Sequence, residues 1–226
     1  MTIIERPSPN HDERRLPVSM VVLHYTGMRD ADEALQRLCD AQAKVSAHWL
    51  VAEDGTVFRL VDEARRAWHA GAAYWRGIAD VNSASIGIEL VNPGHEWGYR
   101  PFPEEQMRAL EGLLRGIFGR HPGLTASQVV GHSDVAPRRK QDPGELFDWP
   151  RLAAAGLAAP MPNADVDPNW HDSGFLAALG RYGYDVSWPE DAVRAFQRRF
   201  RPGRVDGQID AETRALLLSL MRGPGR

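Results

Sequence analysis

Three short apolar runs in this chain each deliver a titratable side chain where an apolar one is expected, and this limits the fold more than any other feature. MVVL, residues 20–23, is followed by His24; SIGIEL, residues 85–90, carries Glu89; QVVG, residues 128–131, is followed by His132. Runs rich in β-branched and aliphatic residues and bounded by turn residues form buried strands. Strand ends hold side chains rigidly while the following loops surround a ligand, so sites in α/β sheets are built there. A lone strand-end histidine is commonly a hydrogen-bonded structural residue. Glu89 is harder to absorb, because a carboxylate on an apolar strand needs a partner, a proton or a solvated pocket.

The segments between these strands alternate in type. Residues 31–43, ADEALQRLCDAQA, read as a helix, and SAHWLVAEDGTVFRLV reads as a hairpin turning at Asp54-Gly55. FPEEQMRALEGLLRGIF opens with Pro103 and acidic first-turn residues, then spaces Met107, Leu110, Leu114 and Ile117 as one helical face. Strands interspersed with helices predict an α/β or α+β domain over residues 15–158, preceded by a polar leader. Pro and Ala crowd together in GLAAPMPNADVDP, residues 156–168, which places a linker at 159–168. Beyond it DSGFLAALGRYG, PEDAVRAFQRRF and DAETRALLLSLM predict a unit of three helices at 169–226, with Asp210 as the N-cap of the last. A unit this small is marginal alone, so it should pack on the first domain or recognise something.

Charge and cysteine usage exclude several classes. Lys plus Arg is 27 against 30 for Asp plus Glu, so no basic excess announces a nucleic-acid partner. One cysteine, Cys39, permits no disulfide within the chain, and beside Leu35 and Leu38 it reads as a small buried hydrophobe. MTIIERPSPNHDERR has no apolar stretch of a secretion signal, and no run is long enough to span a membrane. The expected compartment is the cytoplasm, or the envelope if a leader was removed.

GHSDVAPRRKQDPG, residues 131–144, concentrates the remaining chemistry. His24 and His132 with one carboxylate would make a zinc site of three protein ligands, leaving a fourth position for water. Asp134 and Asp142 are both local candidates, and spacing does not choose between them. The segments VVLHYTG, SAHWLV, WHAGAAYWRG, SIGIELVN and GHSDVAPRRKQDPGELFDWPRLAAAG resemble, in order, the zinc-dependent N-acetylmuramoyl-L-alanine amidases of the AmpD and AmiD type, the Amidase_2 family. LGRYGYDV, AVRAFQRRFRP and DAETRALLLSL resemble the three-helix peptidoglycan-binding module attached to some members.

This resemblance implies an α/β fold with a mixed central sheet flanked by helices, as in peptidoglycan recognition proteins, plus the small helical domain. It implies that His24, His132 and Asp142 bind Zn2+ and that Glu89 and Lys140 are the catalytic pair. Asp134, Arg138 and Arg139 then become loop structure or solvated charge. Tyr25, Trp68, His69, Tyr74, Trp75, Arg76 and Asn82 are the substrate-binding candidates: aromatic faces for the muramyl sugar, Arg76 or Asn82 for peptide amides and carboxylates. Trp68 and Trp75 read equally as packing residues, and His69 as a partner of the ligands. The implied activity is hydrolysis of the amide between N-acetylmuramic acid, in its 1,6-anhydro form, and L-alanine, by a monomer working in cell-wall recycling on muropeptides. Alternatives are a non-catalytic peptidoglycan-recognition protein and an envelope amidase acting on intact peptidoglycan.

Overall fold

The computed structural model describes residues 3–223. Its main sheet has six strands: β1 (Ile3–Glu5), β3 (Met20–Tyr25), β4 (Trp49–Val51), β5 (Val57–Arg59), β7 (Ser85–Leu90) and β8 (Val129–Gly131). They lie in the order β1-β5-β4-β7-β3-β8, while β2 (His11–Glu13) and β6 (Arg65–Ala67) form a separate antiparallel pair. The pairs β3–β7, β3–β8 and β4–β7 are parallel and β4–β5 is antiparallel, so the sheet is mixed as expected. The antiparallel pair is the Asp54-Gly55 hairpin, with Gly55 at φ 84° in the turn.

Side chains alternate across a strand, and this alternation resolves the misfit of Glu89. In β7 the apolar residues Ile86, Ile88 and Leu90 all face one layer. There they meet Met107, Leu110, Leu114 and Ile117 of α4 (Glu104–Arg120), together with Trp149 and Leu152 of α6 (Trp149–Ala154). Ser85, Gly87 and Glu89 therefore fall on the opposite face. In β3, Val21 and Leu23 join the α4 layer, whereas Met20 and Val22 face the other way, and His24 continues their side. The register pairs His24 with Glu89, which sets both groups side by side.

The second face is covered by the C-terminal helices α7 (Asp172–Tyr182), α8 (Pro189–Phe200) and α9 (Ala211–Arg222). Met20, Val22 and Val130 share one cluster with Phe175, Leu179, Phe196, Leu216 and Leu217. Asp210 caps α9 by accepting the N–H of Thr213, as its position predicts. A third cluster seats Ala34, Leu35 and Leu38 of α1 (Ala31–Cys39) on Leu50 and Leu60.

Several expectations change. The polar leader is built into the fold, since β1 extends the main sheet along β5 and β2 pairs with β6. The first helix stops at Cys39 rather than at residue 43, with Asp40 in extended backbone closing it. Cys39 is only partly buried, and its thiol faces the carbonyl of Arg6 at 3.5 Å. The segment 159–168 has no regular structure but is no loose spacer, because Met161 packs against both main clusters. The short helices α2 (Val81–Ala84), α3 (Gly94–Trp97) and α5 (His132–Val135) complete the architecture.

Candidate metal and amidase site

The sheet brings His24, at the end of β3, against His132, the first residue of α5, and Asp142 in the loop that follows. All three are buried. His24 Nδ1 lies 2.9 Å from His132 Nδ1, and Asp142 Oδ2 is 3.1 Å from the former and 3.0 Å from the latter. Of the two carboxylates in this loop, the one that the structure brings to both imidazoles is Asp142. Its backbone carbonyl also accepts the N–H of Ser133 at 2.8 Å, which ties the loop back to α5.

Whether a metal ion suits these residues follows from their protons. A backbone carbonyl can only accept, so His132 Nε2, 3.1 Å from the Ala70 carbonyl oxygen, carries the proton, and its Nδ1 presents a lone pair. That lone pair points at the Asp142 carboxylate, so two acceptors meet with no hydrogen between them. Burial first, and then the neighbouring His132, draw the His24 imidazole down to about 4. Neutral imidazoles and an ionised carboxylate, desolvated and facing one another, form the donor set of a divalent cation such as zinc.

Glu89 stands beside this cluster. Its Oε2 is enclosed and has no hydrogen-bond partner. Burial pushes its carboxyl well above the ordinary range, the Asp142 charge adds to the rise, and Lys140 opposes it. Lys140 is half-buried and lines a cleft of about 420 Å³ together with His132, His69, Trp68 and Asn82. Lys44, Arg139, Arg66 and Asp12 also line this cleft, with Arg66 paired to Asp12 and Asp80 at 3.1 Å.

The other sequence candidates scatter. Trp75 is 2% exposed and packs edge-on against Tyr184 at 5.0 Å, so it belongs to the core shared with the C-terminal helices rather than to a sugar platform. Arg76 donates to the Tyr182 carbonyl at 3.0 Å, and the N–H of Tyr74 bonds the Val135 carbonyl at 2.8 Å. That segment fastens the C-terminal unit, which only the distant residues 182–184 could have revealed. Asn82 spends its Oδ1 on the backbone N–H groups of His69 and Ala70. Tyr25 bonds His95 Nδ1 at 2.8 Å, and His95 in turn meets Glu145 at 3.1 Å, a cluster that sequence spacing gave no reason to assemble.

Asp134 is not solvated charge. It accepts the N–H of Gly131 at 2.7 Å, the hydroxyl of Tyr184 at 2.6 Å and the guanidinium of Arg199 at 2.7 Å. Arg199 also donates to the Val129 carbonyl at 2.9 Å and lies over the ring of Trp149. Arg138 stacks on Trp188 with its guanidinium carbon 3.7 Å from the ring centre, and Arg139 donates to the carbonyls of Ala70 and Ala72.

A mixed sheet that gathers two imidazoles and a carboxylate beside an enclosed carboxyl group has the make-up of an α/β hydrolytic enzyme, with a His-His-Asp group able to hold a metal ion. More particularly, residues 14–145 match the family model of N-acetylmuramoyl-L-alanine amidase, Amidase_2, and the chain belongs to that family. N-acetylmuramoyl-L-alanine amidase AmiD of Escherichia coli (strain K12) is 36% identical over 261 residues, covering 99% of this chain and 92% of AmiD. 1,6-Anhydro-N-acetylmuramyl-L-alanine amidase AmpD of Haemophilus influenzae is 34% identical, covering 66% of this chain and 89% of its own.

Among solved structures, AmiD from E. coli in complex with anhydro-N-acetylmuramic acid-L-Ala-D-gamma-Glu-L-Lys superposes with a TM-score of 0.81 at 35% identity, covering 93% of this chain and 92% of AmiD. AmpDh3 of Pseudomonas aeruginosa in complex with anhydromuramic pentapeptide gives 0.79 at 33% identity, covering 95% of this chain and 94% of its own. Among the described residues, no helix is long and apolar enough to cross a membrane.

Proposed function

We propose that this chain hydrolyses the amide bond between 1,6-anhydro-N-acetylmuramic acid and the L-alanine of a stem peptide, using one Zn2+ held by His24, His132 and Asp142. The observation that carries the reading is the convergence of His24 Nδ1, His132 Nδ1 and Asp142 Oδ2 beside the enclosed carboxyl of Glu89. Family membership fixes the amidase class, and AmiD and AmpDh3 were solved with anhydromuramic peptides of this chemistry.

When bound, zinc supplies Lewis-acid polarisation of the amide carbonyl and acidifies water toward neutrality. Glu89, with its carboxyl shifted upward and Oε2 unpaired, takes a proton from the attacking water. It then delivers that proton to the alanine nitrogen as the carbon–nitrogen bond breaks, work worth about 10²–10⁴ in rate. Lys140 offers its cation to the oxyanion of the tetrahedral carbon. Trp68 presents an aromatic face to the muramyl sugar from the cleft wall, while Lys44 meets carboxylates of the stem peptide. This reading places recognition in the cleft, and burial withdraws Trp75 from it.

The three-helix unit is read as a wall of the amidase fold, since it covers Met20, Val22 and Val130 and supplies Arg199 to Asp134. A second reading, an envelope amidase working on intact peptidoglycan, rests on the resemblance of the C-terminal helices to a peptidoglycan-binding module, a segment that the 99% coverage of this chain by AmiD includes. Rates on soluble anhydro-muropeptide and on intact sacculi decide between the two, faster release from sacculi favouring the second. For the reaction itself, Glu89→Gln should bind zinc as the native protein does and release stem peptide about 10²–10⁴-fold more slowly. An unchanged rate removes Glu89 from the mechanism.

A further inference from the structure

His132 has its tautomer fixed in one step by the Ala70 carbonyl, whereas His24 is fixed by a longer chain of hydrogen bonds. His24 Nε2 lies 3.0 Å from His69 Nδ1, His69 Nε2 lies 3.1 Å from Ser85 Oγ, and Ser85 Oγ lies 2.5 Å from the Val81 carbonyl oxygen. The carbonyl can only accept, so the Ser85 hydroxyl spends its single hydrogen there. Ser85 Oγ is then the acceptor toward His69, which makes His69 Nε2 the protonated nitrogen and leaves His69 Nδ1 with a lone pair. That lone pair accepts the N–H of His24 Nε2. His24 Nδ1 is consequently bare where it faces His132 and Asp142.

Two adjacent residues therefore govern both imidazoles, His69 by its ring and Ala70 by its carbonyl. Their backbone is clamped by Asn82, whose Oδ1 accepts the N–H of His69 at 3.0 Å and that of Ala70 at 2.7 Å. The ring has a dedicated seat as well. A Cβ on Gly87 would come within 2.4 Å of His69 Cγ, so this position of β7 has room for no side chain while His69 stands where it does. Ser85, one strand repeat earlier on the same face of β7, supplies the end of the chain.

From this geometry we infer that His69 is a positioning residue of the metal centre: it holds His24 in the tautomer and orientation that bind the ion, and it contacts no substrate. The inference rests on the zinc reading above. Hydrogen bonds of this kind raise ligand basicity and set ring orientation, and their loss costs about 10–100-fold in metal affinity.

The test uses the full-length protein and zinc alone, with affinity measured by competition against a chromophoric chelator. His69→Ala should keep the native circular dichroism and bind zinc about 10–100-fold more weakly. His69→Asn, whose Oδ1 can take the place of Nδ1, should recover much of that loss, and Ser85→Ala should show a smaller loss of the same sign. Native affinity in His69→Ala, with KM for muropeptide raised instead, overturns the inference and makes His69 a substrate contact. If His69→Ala does not fold, nitrogen-15 spectra of the native metal-free protein give the answer directly. A His24 ring protonated at Nε2 supports the inference, and one protonated at Nδ1 overturns it. Absence of stoichiometric zinc in the native protein is a separate outcome that sinks the zinc reading itself.

Discussion

His132 and Asp134 are two residues apart on one short turn, equally buried, and yet the polar clusters around them have opposite characters. Around Asp134 the accounts close internally: a backbone N–H, a tyrosine hydroxyl and a guanidinium all donate to one carboxylate, and the positive charge is the chain's own Arg199. Around His132 two imidazole nitrogens and a carboxylate oxygen converge at 2.9–3.1 Å, and among the described residues no guanidinium or ammonium group bonds to any of the three. Burial alone does not distinguish a structural cluster from a receptive one. The balance of donors and acceptors does, because an unpaired buried polar group carries its full desolvation cost.

The sharpest way to break the contrast is to remove the charge from the receptive cluster. Asp142→Ala should lose zinc and abolish release of stem peptide, and elemental analysis beside the amidase assay checks both. Next in size is the closed cluster. Arg199→Met leaves Asp134 ionised and buried without its cation, a change worth about 3–5 kcal/mol against the fold and measurable as a lower urea midpoint. The folded fraction should still bind zinc in equimolar amount, since none of the three ligands is touched.

The smallest effect is graded with pH. In the metal-free protein burial first of all lowers the His24 imidazole, and separately that of His48, from 6.5 to about 4. The unfolded chain therefore binds more protons than the folded one between these values, so stability should fall as pH drops from 6.5 toward 4 and level off above. Saturating zinc, by keeping protons off a metal-bound His24, should preserve the part of this fall that belongs to His24 and carry it below pH 4, and urea midpoints with and without metal measure it.

The same contrast explains what could be read from the chain. The strand ends, the hairpin at Asp54-Gly55, the long amphipathic helix and the cap at Asp210 rest on local patterns and match the structure. Asp134 could not be placed from its neighbours, because its partners Tyr184 and Arg199 lie 50 and 65 residues away. The surroundings of Trp75 and Arg76 were out of reach for the same reason: Trp75 packs on Tyr182 and Tyr184, and Arg76 donates to the Tyr182 carbonyl, more than 100 residues on. The N-terminal strands were missed because three-residue edges among polar residues carry no periodic signal.

The alternation along β7 has a consequence for how the chain can vary. Ile86, Ile88 and Leu90 answer to the helix packed on one side, while Ser85, Gly87 and Glu89 answer to the chemistry on the other. Two inheritances are threaded on one string, each reading every second bead. A deletion of one residue there would exchange them at a stroke, sending the carboxylate of Glu89 into the oil and an isoleucine toward the two histidines.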